Sequence, residues 1–422
     1  MKLDYKKTFL IGFGFFATSI AWSIYNSYVP LLLEPKLAGV AYGTTLLGFI
    51  MAIDNVFGVI FQPLFGFLSD RTKSRYGRRL PYIFIGIPLC AITFALVPTM
   101  AYSLGSLMAT VIIFNFIMST WRAPVVALMP DLTPAPLRSK ANGVINMMGG
   151  VGSLIAFLIG GYVYKAAGYN GPFLLSSIVM VLALFVLFFF VKEPVAETLG
   201  ANDTQKKEKE KIKLAKGETI SLILILFAIF FWFAGYNAVE TYFTLFATNS
   251  MGMEPGDATI TLAFFSITFL AAAIPAGILG GKIGRKRTIL IGLAGVTALF
   301  IVMFFVKNLM ALRILLLLGG VFWAGVNINS LPMVVEMAGL SRIGTFTGFY
   351  YFFSFSAAIA SPPLYGLIHD SLKSNSNYSM IFIYAAIAFA IAIGCIAFVK
   401  HGESVVPEQK LTTEEVMGMQ ED

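Results

Sequence analysis

Residues 41–99 read AYGTTLLGFIMAIDNVFGVIFQPLFGFLSDRTKSRYGRRLPYIFIGIPLCAITFALVPT. Two apolar runs, Ala41–Leu68 and Leu80–Thr99, flank one short basic loop. A helix needs roughly 20 apolar residues to cross a hydrocarbon core of about 30 Å, and each run has that length. The loop carries Arg71, Lys73, Arg75, Arg78 and Arg79, charges that stay in water. The stretch reads as a helical hairpin threaded through a bilayer.

The same pattern extends in both directions. Ten further runs qualify: Phe9–Leu33, Leu104–Met129, Asn142–Tyr164, Pro172–Val191, Thr219–Thr248, Ala258–Gly281, Thr288–Val306, Ile314–Val335, Ile343–Ile368 and Tyr378–Val399. The expected fold is all-α and integral to the membrane, with twelve transmembrane helices. Composition agrees: 58% of residues are hydrophobic and only 12% charged, against about 25% charged in a soluble domain, so most of the outer surface must face lipid. Strands are excluded because the runs are continuous rather than alternating segments of about ten residues. Phe9–Leu33 is too long for a signal-peptide core and no small-residue cleavage site follows it, so it reads as a retained first helix. The cysteines, Cys90 and Cys395, sit inside apolar runs and read as packing residues.

The net charge of +8 is gathered in short clusters between spans, which is a topology signal rather than a nucleic-acid face. With twelve spans both termini share a side. That side holds 24 of the basic residues, the other holds five (Lys36, Lys165, Lys307, Arg313, Lys373), and Arg122 lies within a span. The bias places both termini in the cytoplasm of a cell membrane protein. The hydrophilic stretch 192–218 is rich in Lys and Glu, lacks aromatics, and reads as a cytoplasmic linker. It separates an N-terminal six-helix bundle, residues 1–191, from a C-terminal one, residues 219–400, and residues 401–422 form a cytoplasmic tail. The halves carry weak internal symmetry: Tyr25-Asn26 and Tyr236-Asn237 are offset by 211 positions, Asp131 and Glu336 by 205. Two parallel repeats with a midplane site between them is a transporter architecture.

The loop from Gly66 through Asp70, Arg71, Arg75, Gly77, Arg78 and Arg79 to Pro81 resembles the signature loop of the major facilitator superfamily. Its extended form, with Asp54-Asn55 and Gln62-Pro63 before it and Pro81-Tyr82 after it, is similar to the glycoside–pentoside–hexuronide:cation symporter branch, and within it to the sucrose-transporter-like members. The likeness is strong over spans two to five and architectural in the second half. It implies a cytoplasmic gate in which Gly66 allows close helix approach and the loop's charges face acceptors. Asp131 with Arg138, and Glu336 with Arg342, are similar to the acid-then-arginine pairs of sugar porters. They act either as switching gate charges or as anchors of helix ends. Sodium-coupled members of that branch place two carboxylates on helix two, where this chain has Gly58 and Gln62, and an aspartate on helix four, where it has Arg122. The departure favours proton over sodium coupling.

Three ionisable residues lie deep within spans, Asp54, Arg122 and Glu240. Each costs at least about 2.5–3.5 kcal/mol there unless it faces the bundle interior or water. They are the candidate ion-coupling groups, with an Asp54–Arg122 pair expected to open when Asp54 takes a proton; a static pair locking helix two to helix four is the other reading. Glu240 follows Trp232 and Tyr236 at helical spacing, which puts a carboxylate beside an aromatic wall. Further candidates for a sugar site are Trp22, Tyr25, Asn26, Trp121, Asn146, Asn237, Trp323, Asn327, Asn329, Tyr350 and Tyr351. Each asparagine serves equally as helix–helix glue. His369 and His401 lack metal-ligand spacing, and no phosphate-cradling loop ends in Lys-Ser/Thr, so metal chemistry, enzymatic chemistry and ATP drive are unsupported.

The expected function is secondary transport without a cofactor, driven by a proton gradient. The resemblance implies a sugar cargo, an α-glucoside disaccharide such as maltose or sucrose, carried by a monomer in contact with lipid. A drug:H⁺ antiporter is the alternative, with a more apolar cavity and a cationic or amphipathic cargo.

Overall fold

The computed structural model describes residues 3–134, 137–193, 216–337, 343–373 and 377–402. Arg342, most of the 192–218 linker and residues 403–422 of the tail lie outside the described residues. Among the described residues there are twelve α-helices and no strand. The first half contributes α1 (Tyr5–Leu37), α2 (Gly43–Arg71), α3 (Leu80–Leu96), α4 (Leu104–Leu132), α5 (Arg138–Ala167) and α6 (Asn170–Phe190). The second contributes α7 (Lys216–Leu245), α8 (Pro255–Ile283), α9 (Arg285–Phe305), α10 (Leu309–Glu336), α11 (Ile343–Ser371) and α12 (Met380–Ala397). A π-helical turn, Phe246–Ser250, extends α7.

Local chemistry sets the ends. Asp4 accepts the Lys7 amide, Ser103 and Ser106 form a reciprocal capping box, and Asn308 accepts the amides of Met310 and Ala311. Pro255 opens α8, where its missing N–H costs nothing. Eleven of the helices are long and apolar enough to cross a membrane, and α3, at 17 residues, is shorter than the span expected from sequence. At about 1.5 Å per residue it still extends roughly 26 Å, close to the bilayer core. The outer faces carry exposed apolar side chains such as Ile85, Phe188, Phe189, Phe190, Ile274 and Phe305, as lipid contact requires.

The halves meet on the side opposite the signature loop. There Gly48 of α2 lies against the Pro362–Pro363 backbone of α11, where a Cβ would fall 2.5 Å from the Pro362 carbonyl carbon. Gly161 of α5 faces Gly256 of α8 in the same way, with an added Cβ 2.6 Å from the Gly256 oxygen. Small residues permit backbone contact that larger ones would block, the main source of helix association in lipid. One buried core runs across this side, from Tyr28 and Phe94 of the first half to Tyr242, Phe246 and Phe382 of the second. Toward the signature-loop side the second half has a separate core of its own, including Leu222, Leu293, Met333 and Ile396. Among the described residues, the bundles share one core at the far end, and the second half has its own core toward the other.

The signature loop turns at Gly77, whose φ of 103° is open to glycine and strained for other residues. Its α-carbon also packs on Glu193, and an added Cβ would stand 2.5 Å from the Glu193 Cβ. Glu193 accepts the Arg79 amide at 2.8 Å and the Leu80 amide at 3.3 Å, which fixes the start of α3 to the end of α6. Gly77→Ala is expected to cost about 1–3 kcal/mol through backbone strain, read as a lower Tm of the detergent-solubilised protein. An unchanged Tm would show that the turn relaxes freely.

Candidate functional site

Two adjoining chambers occupy the junction of the halves. The first, about 280 Å³, is bounded by α1, α5, α7, α8, α9, α10 and α12. Its wall is largely aromatic and aliphatic, with Phe233, Phe265, Phe269 and Phe300 prominent and Asn26, Asn327, Ser266 and Glu240 as polar points. The second, about 300 Å³, lies toward α4 and is lined by Trp22, Arg122, Asn146 and several hydroxyls. Ser23, Ser153 and Glu240 border both.

Glu240 stands at the seam. Its Oε1 accepts from Asn26 Nδ2 at 3.3 Å, a hydrogen bond from α1 of one half to α7 of the other. Tyr236, one turn earlier, stacks flat on Trp323 of α10 with ring centroids 4.7 Å apart and planes 6° from parallel. Together they make an aromatic surface beside a carboxylate. Arg122 sits over the Trp22 ring at 5.5 Å, and among the described residues no ion pair or hydrogen bond holds its guanidinium. Asp54 lines neither chamber, and its Oδ1 accepts both the amide and the side-chain nitrogen of Asn55 at 2.6 Å. The charges of Arg122 and Glu240 act on Asp54 through space, but the contact pair expected between Asp54 and Arg122 is not made. The three membrane charges form a field rather than a salt bridge.

The structure gathers Trp22, Asn26, Asn146, Tyr236, Trp323 and Asn327 around the chambers and leaves other sequence candidates elsewhere. Trp232 is fully buried in the second half's core. At about 100° per residue a position eight before Glu240 has rotated some 80° away from it, so the predicted stripe reaches the cavity only through Tyr236 and Glu240. Trp121 is buried against Gly86 of α3, and Tyr25 is buried with its hydroxyl accepting from Asn115 at 3.2 Å. Tyr350 is tied to Ser330 at 3.0 Å, and Asn237 donates to the Phe233 carbonyl of its own helix. Asn329 is buried and donates to the carbonyls of Ala276 and Gly325, which is helix glue, and Tyr351 is exposed. Phe233, Phe265, Phe269 and Phe300 were not singled out, because in a chain with 40 Phe residues no sequence signal separates a cavity phenylalanine from a lipid-facing one.

The signature-loop charges are engaged within their own halves. Arg79 donates Nε to Asp131 at 2.9 Å and Nη1 to the Gly66 carbonyl at 3.1 Å, and pairs with Asp70 through Nη2. Arg78 reaches Asp131 at 2.7 Å. In the second half Arg285 pairs with Glu336 at 2.7 Å. Arg138 bonds the Thr133 carbonyl and not Asp131, while Arg71 and Arg75 lie over Phe67 and Tyr76. Gly66 acts through its carbonyl; a Cβ there would meet nothing within 4 Å, so it makes no close helix approach in this conformation.

Among the described residues, the polar contacts between halves lie from the membrane middle to the far side. Asp370 of α11 accepts the Thr45 amide at 2.8 Å and hydroxyl at 2.7 Å, and the Thr44 amide at 3.3 Å, capping the start of α2 across the junction. His369 Nδ1 lies 3.1 Å from the Thr44 hydroxyl, and the Tyr242 hydroxyl lies 3.0 Å from the Thr44 and Pro362 carbonyls. Lys165 pairs with Asp257 at 2.7 Å. The far side is latched by these bonds, and the ion pairs described on the signature-loop side each lie within one half.

Two similar bundles around a central chamber, latched at one face, are the build of a secondary transporter. The chain belongs to the Major Facilitator Superfamily, whose profile matches residues 11–362 and 247–417. It is 22% identical to the class E tetracycline resistance protein of Escherichia coli over 403 residues, covering 94% of this chain and 95% of that one. It is 25% identical to the hexuronate transporter of Bacillus subtilis (strain 168) over 371 residues, covering 80% and 82%. Its fold matches a solved D-xylose–proton symporter with TM-score 0.73 at 17% identity, covering 94% and 98%. The protein is a multi-pass membrane transporter of this superfamily.

Asp370→Ala removes the acceptor that ties α2 to α11. The expected result is a population shift toward far-side opening, read as severalfold faster labelling of a cysteine placed at Thr44 in membranes. Labelling at the wild-type rate would show that the glycine contacts alone hold the face shut.

Proposed function

We propose that the protein is a sugar:H⁺ symporter working by alternating access as a monomer, with an α-glucoside disaccharide such as maltose or sucrose as the starting candidate for cargo. The observation that carries this reading is the Tyr236–Trp323 stack beside the Glu240–Asn26 bond on one cavity wall. Sugar rings offer apolar C–H faces to aromatic planes and hydroxyls to carboxylates and amides. A hexuronate transporter among its relatives and a D-xylose–proton symporter among its structural neighbours support a sugar-class cargo, and the latter supports proton drive. The basic-residue bias argues for a cytoplasmic signature loop and cytoplasmic termini. On that orientation the latched far side is extracellular and the conformation is inward-facing.

Protonation of Glu240 weakens its hold on Asn26 and lets the halves separate at the membrane middle. Proton and sugar thereby bias the same junction, which is the requirement for coupling. In proteoliposomes, labelled maltose or sucrose is expected to enter with an imposed inward proton gradient. Glu240→Gln should cut gradient-driven uptake at least about tenfold while sugar-for-sugar exchange persists, and Tyr236→Ala should raise KM with a smaller effect on the maximal rate. Uptake that follows only a sodium gradient would sink proton coupling and leave the sugar reading in place.

A second reading has its own support in the apolar wall of the first chamber and in the full-length likeness to a tetracycline resistance protein. On that reading Glu240 meets the cationic end of an amphipathic drug and the direction is export. Proton-driven dye or tetracycline extrusion from the same vesicles, with no sugar flux, would select it.

A further inference from the structure

The far-side latch contains a titratable ring that the transport reading leaves unused. His369 sits in the last turn of α11, and its side chain is only 3% exposed. Its Nδ1 meets the Thr44 hydroxyl of the other half at 3.1 Å. The ring lies flat on Tyr378, with centroids 4.5 Å apart and planes 14° from parallel, and Tyr365 stands at 6.0 Å. Among the described residues its Nε2 has no hydrogen-bond partner, although it is shut off from solvent. Histidine is the side chain whose charge ordinarily changes between about pH 5 and 8.

The groups around the ring decide what a proton does there. Asp370, the next residue, brings Oδ1 within 3.7 Å of Nδ1. Its carboxylate is already committed across the junction, to the Thr44 amide and to the amide and hydroxyl of Thr45. The backbone of Asn377 approaches the ring from the segment before α12. Tyr365 donates its hydroxyl to the Tyr378 carbonyl at 3.1 Å, and the Tyr242 hydroxyl of α7 is taken up by the Thr44 and Pro362 carbonyls. Tyr384 of α12 stands behind Tyr365, bound to Ser361. Glu34 of α1 shares with Asp370, Thr44 and Tyr378 a vestibule of about 250 Å³.

A neutral imidazole meets this site with one hydrogen bond and a flat stack. An imidazolium carries an N–H donor at each nitrogen and a full charge. Inside the closed latch it has two courses. It leaves Nε2–H and its charge without an acceptor, or it draws the Asp370 carboxylate away from Thr44 and Thr45. The first buries an unpaired charge, and the second dismantles the cap that ties α2 to α11. On either course the proton binds more tightly to the open far face than to the closed one. Falling pH therefore shifts the population toward opening.

We propose that His369 is a second proton-binding site and that its protonation releases the far-side latch. It lines neither central chamber and is separate from Glu240. The inference stands on the latch alone and holds whatever the cargo. On the orientation argued above the far side is extracellular, so an acidic exterior opens the face through which protons arrive.

The test is a distance measurement between two spin labels, by pulsed electron paramagnetic resonance, on the full-length protein in nanodiscs. The labels are carried by Tyr102→Cys and Met310→Cys, exposed positions on the far side of the first and second halves, with Cys90→Ala and Cys395→Ala removing the native thiols. As pH falls from about 8 to about 5, a longer-distance population is expected to grow severalfold, with its midpoint in the histidine range. His369→Gln should hold the short distance throughout, and Glu240→Gln should keep the response. His369→Phe, which retains the stack on Tyr378 and cannot take a proton, reports if the glutamine variant does not fold, and its distances should not change with pH. A parent protein whose distances ignore pH or shorten in acid would overturn the proposal. So would lengthening in acid that survives His369→Gln or His369→Phe. A response lost in Glu240→Gln would assign the proton to the central chamber and overturn it as well.

Discussion

The price of charge in hydrocarbon organises this molecule. Asp54, Arg122 and Glu240 sit in spans whose other neighbours are almost entirely apolar, and each would destabilise its helix by several kcal/mol if it faced lipid. The fold answers by turning Arg122 and Glu240 toward the junction of the two bundles. Arg122 and Glu240 line polar chambers, and Asp54 is held by its neighbour Asn55. A junction that must hold ions in this way cannot also be sealed with well-packed side chains, so cavity and charge are one feature.

The same constraint explains where the halves adhere. The far side combines glycine-mediated backbone contact with a small number of polar bonds centred on Asp370 and Thr44-Thr45. Interhelical hydrogen bonds in membranes average only about 0.6 kcal/mol, so the latch is a sum of modest contributions. Such a face can open when an equal number of contacts forms elsewhere. The signature-loop side holds the material for that exchange, since Asp131, Asp70 and Glu336 are paired inside their own bundles with arginines that can change partner. Arg79 is buried and Asp131 largely so, so each such charge can leave its partner only by meeting another, which makes the exchange of partners a concerted one.

The parts of this structure that were legible in the sequence are those set by one-dimensional rules. The number of spans and their approximate length follow from hydropathy alone, and the helices obey them, with α3 the one that falls short. The site was half legible. Glu240 and Tyr236 face the cavity as the spacing required, whereas Trp232 has rotated out of it and Trp121 and Tyr25 are consumed by packing. Helical spacing fixes an angle on one helix but not which neighbour that angle meets, and in a bundle every face of a helix meets something apolar. Glu193 shows the opposite failure: at the end of a span it reads as a surface charge, yet it is buried and fastens the signature loop to α6.

The asymmetry between the halves bears on mechanism. The repeats match in outline, with Asp131 and Glu336 at equivalent helix ends, but the described ion pairs on that side give the first half two arginines shared among Asp70, Asp131 and Glu193 and the second half one arginine on Glu336. The cavity is unequal in the same sense. Its polar chamber, with Arg122, belongs mainly to the first half, and its aromatic chamber mainly to the second. A cargo that spans both chambers touches each bundle with different chemistry, and only an occupant that satisfies both can stabilise their closure around it. Glu240, on the second half but bonded to Asn26 of the first, is the point where that joint occupancy is registered.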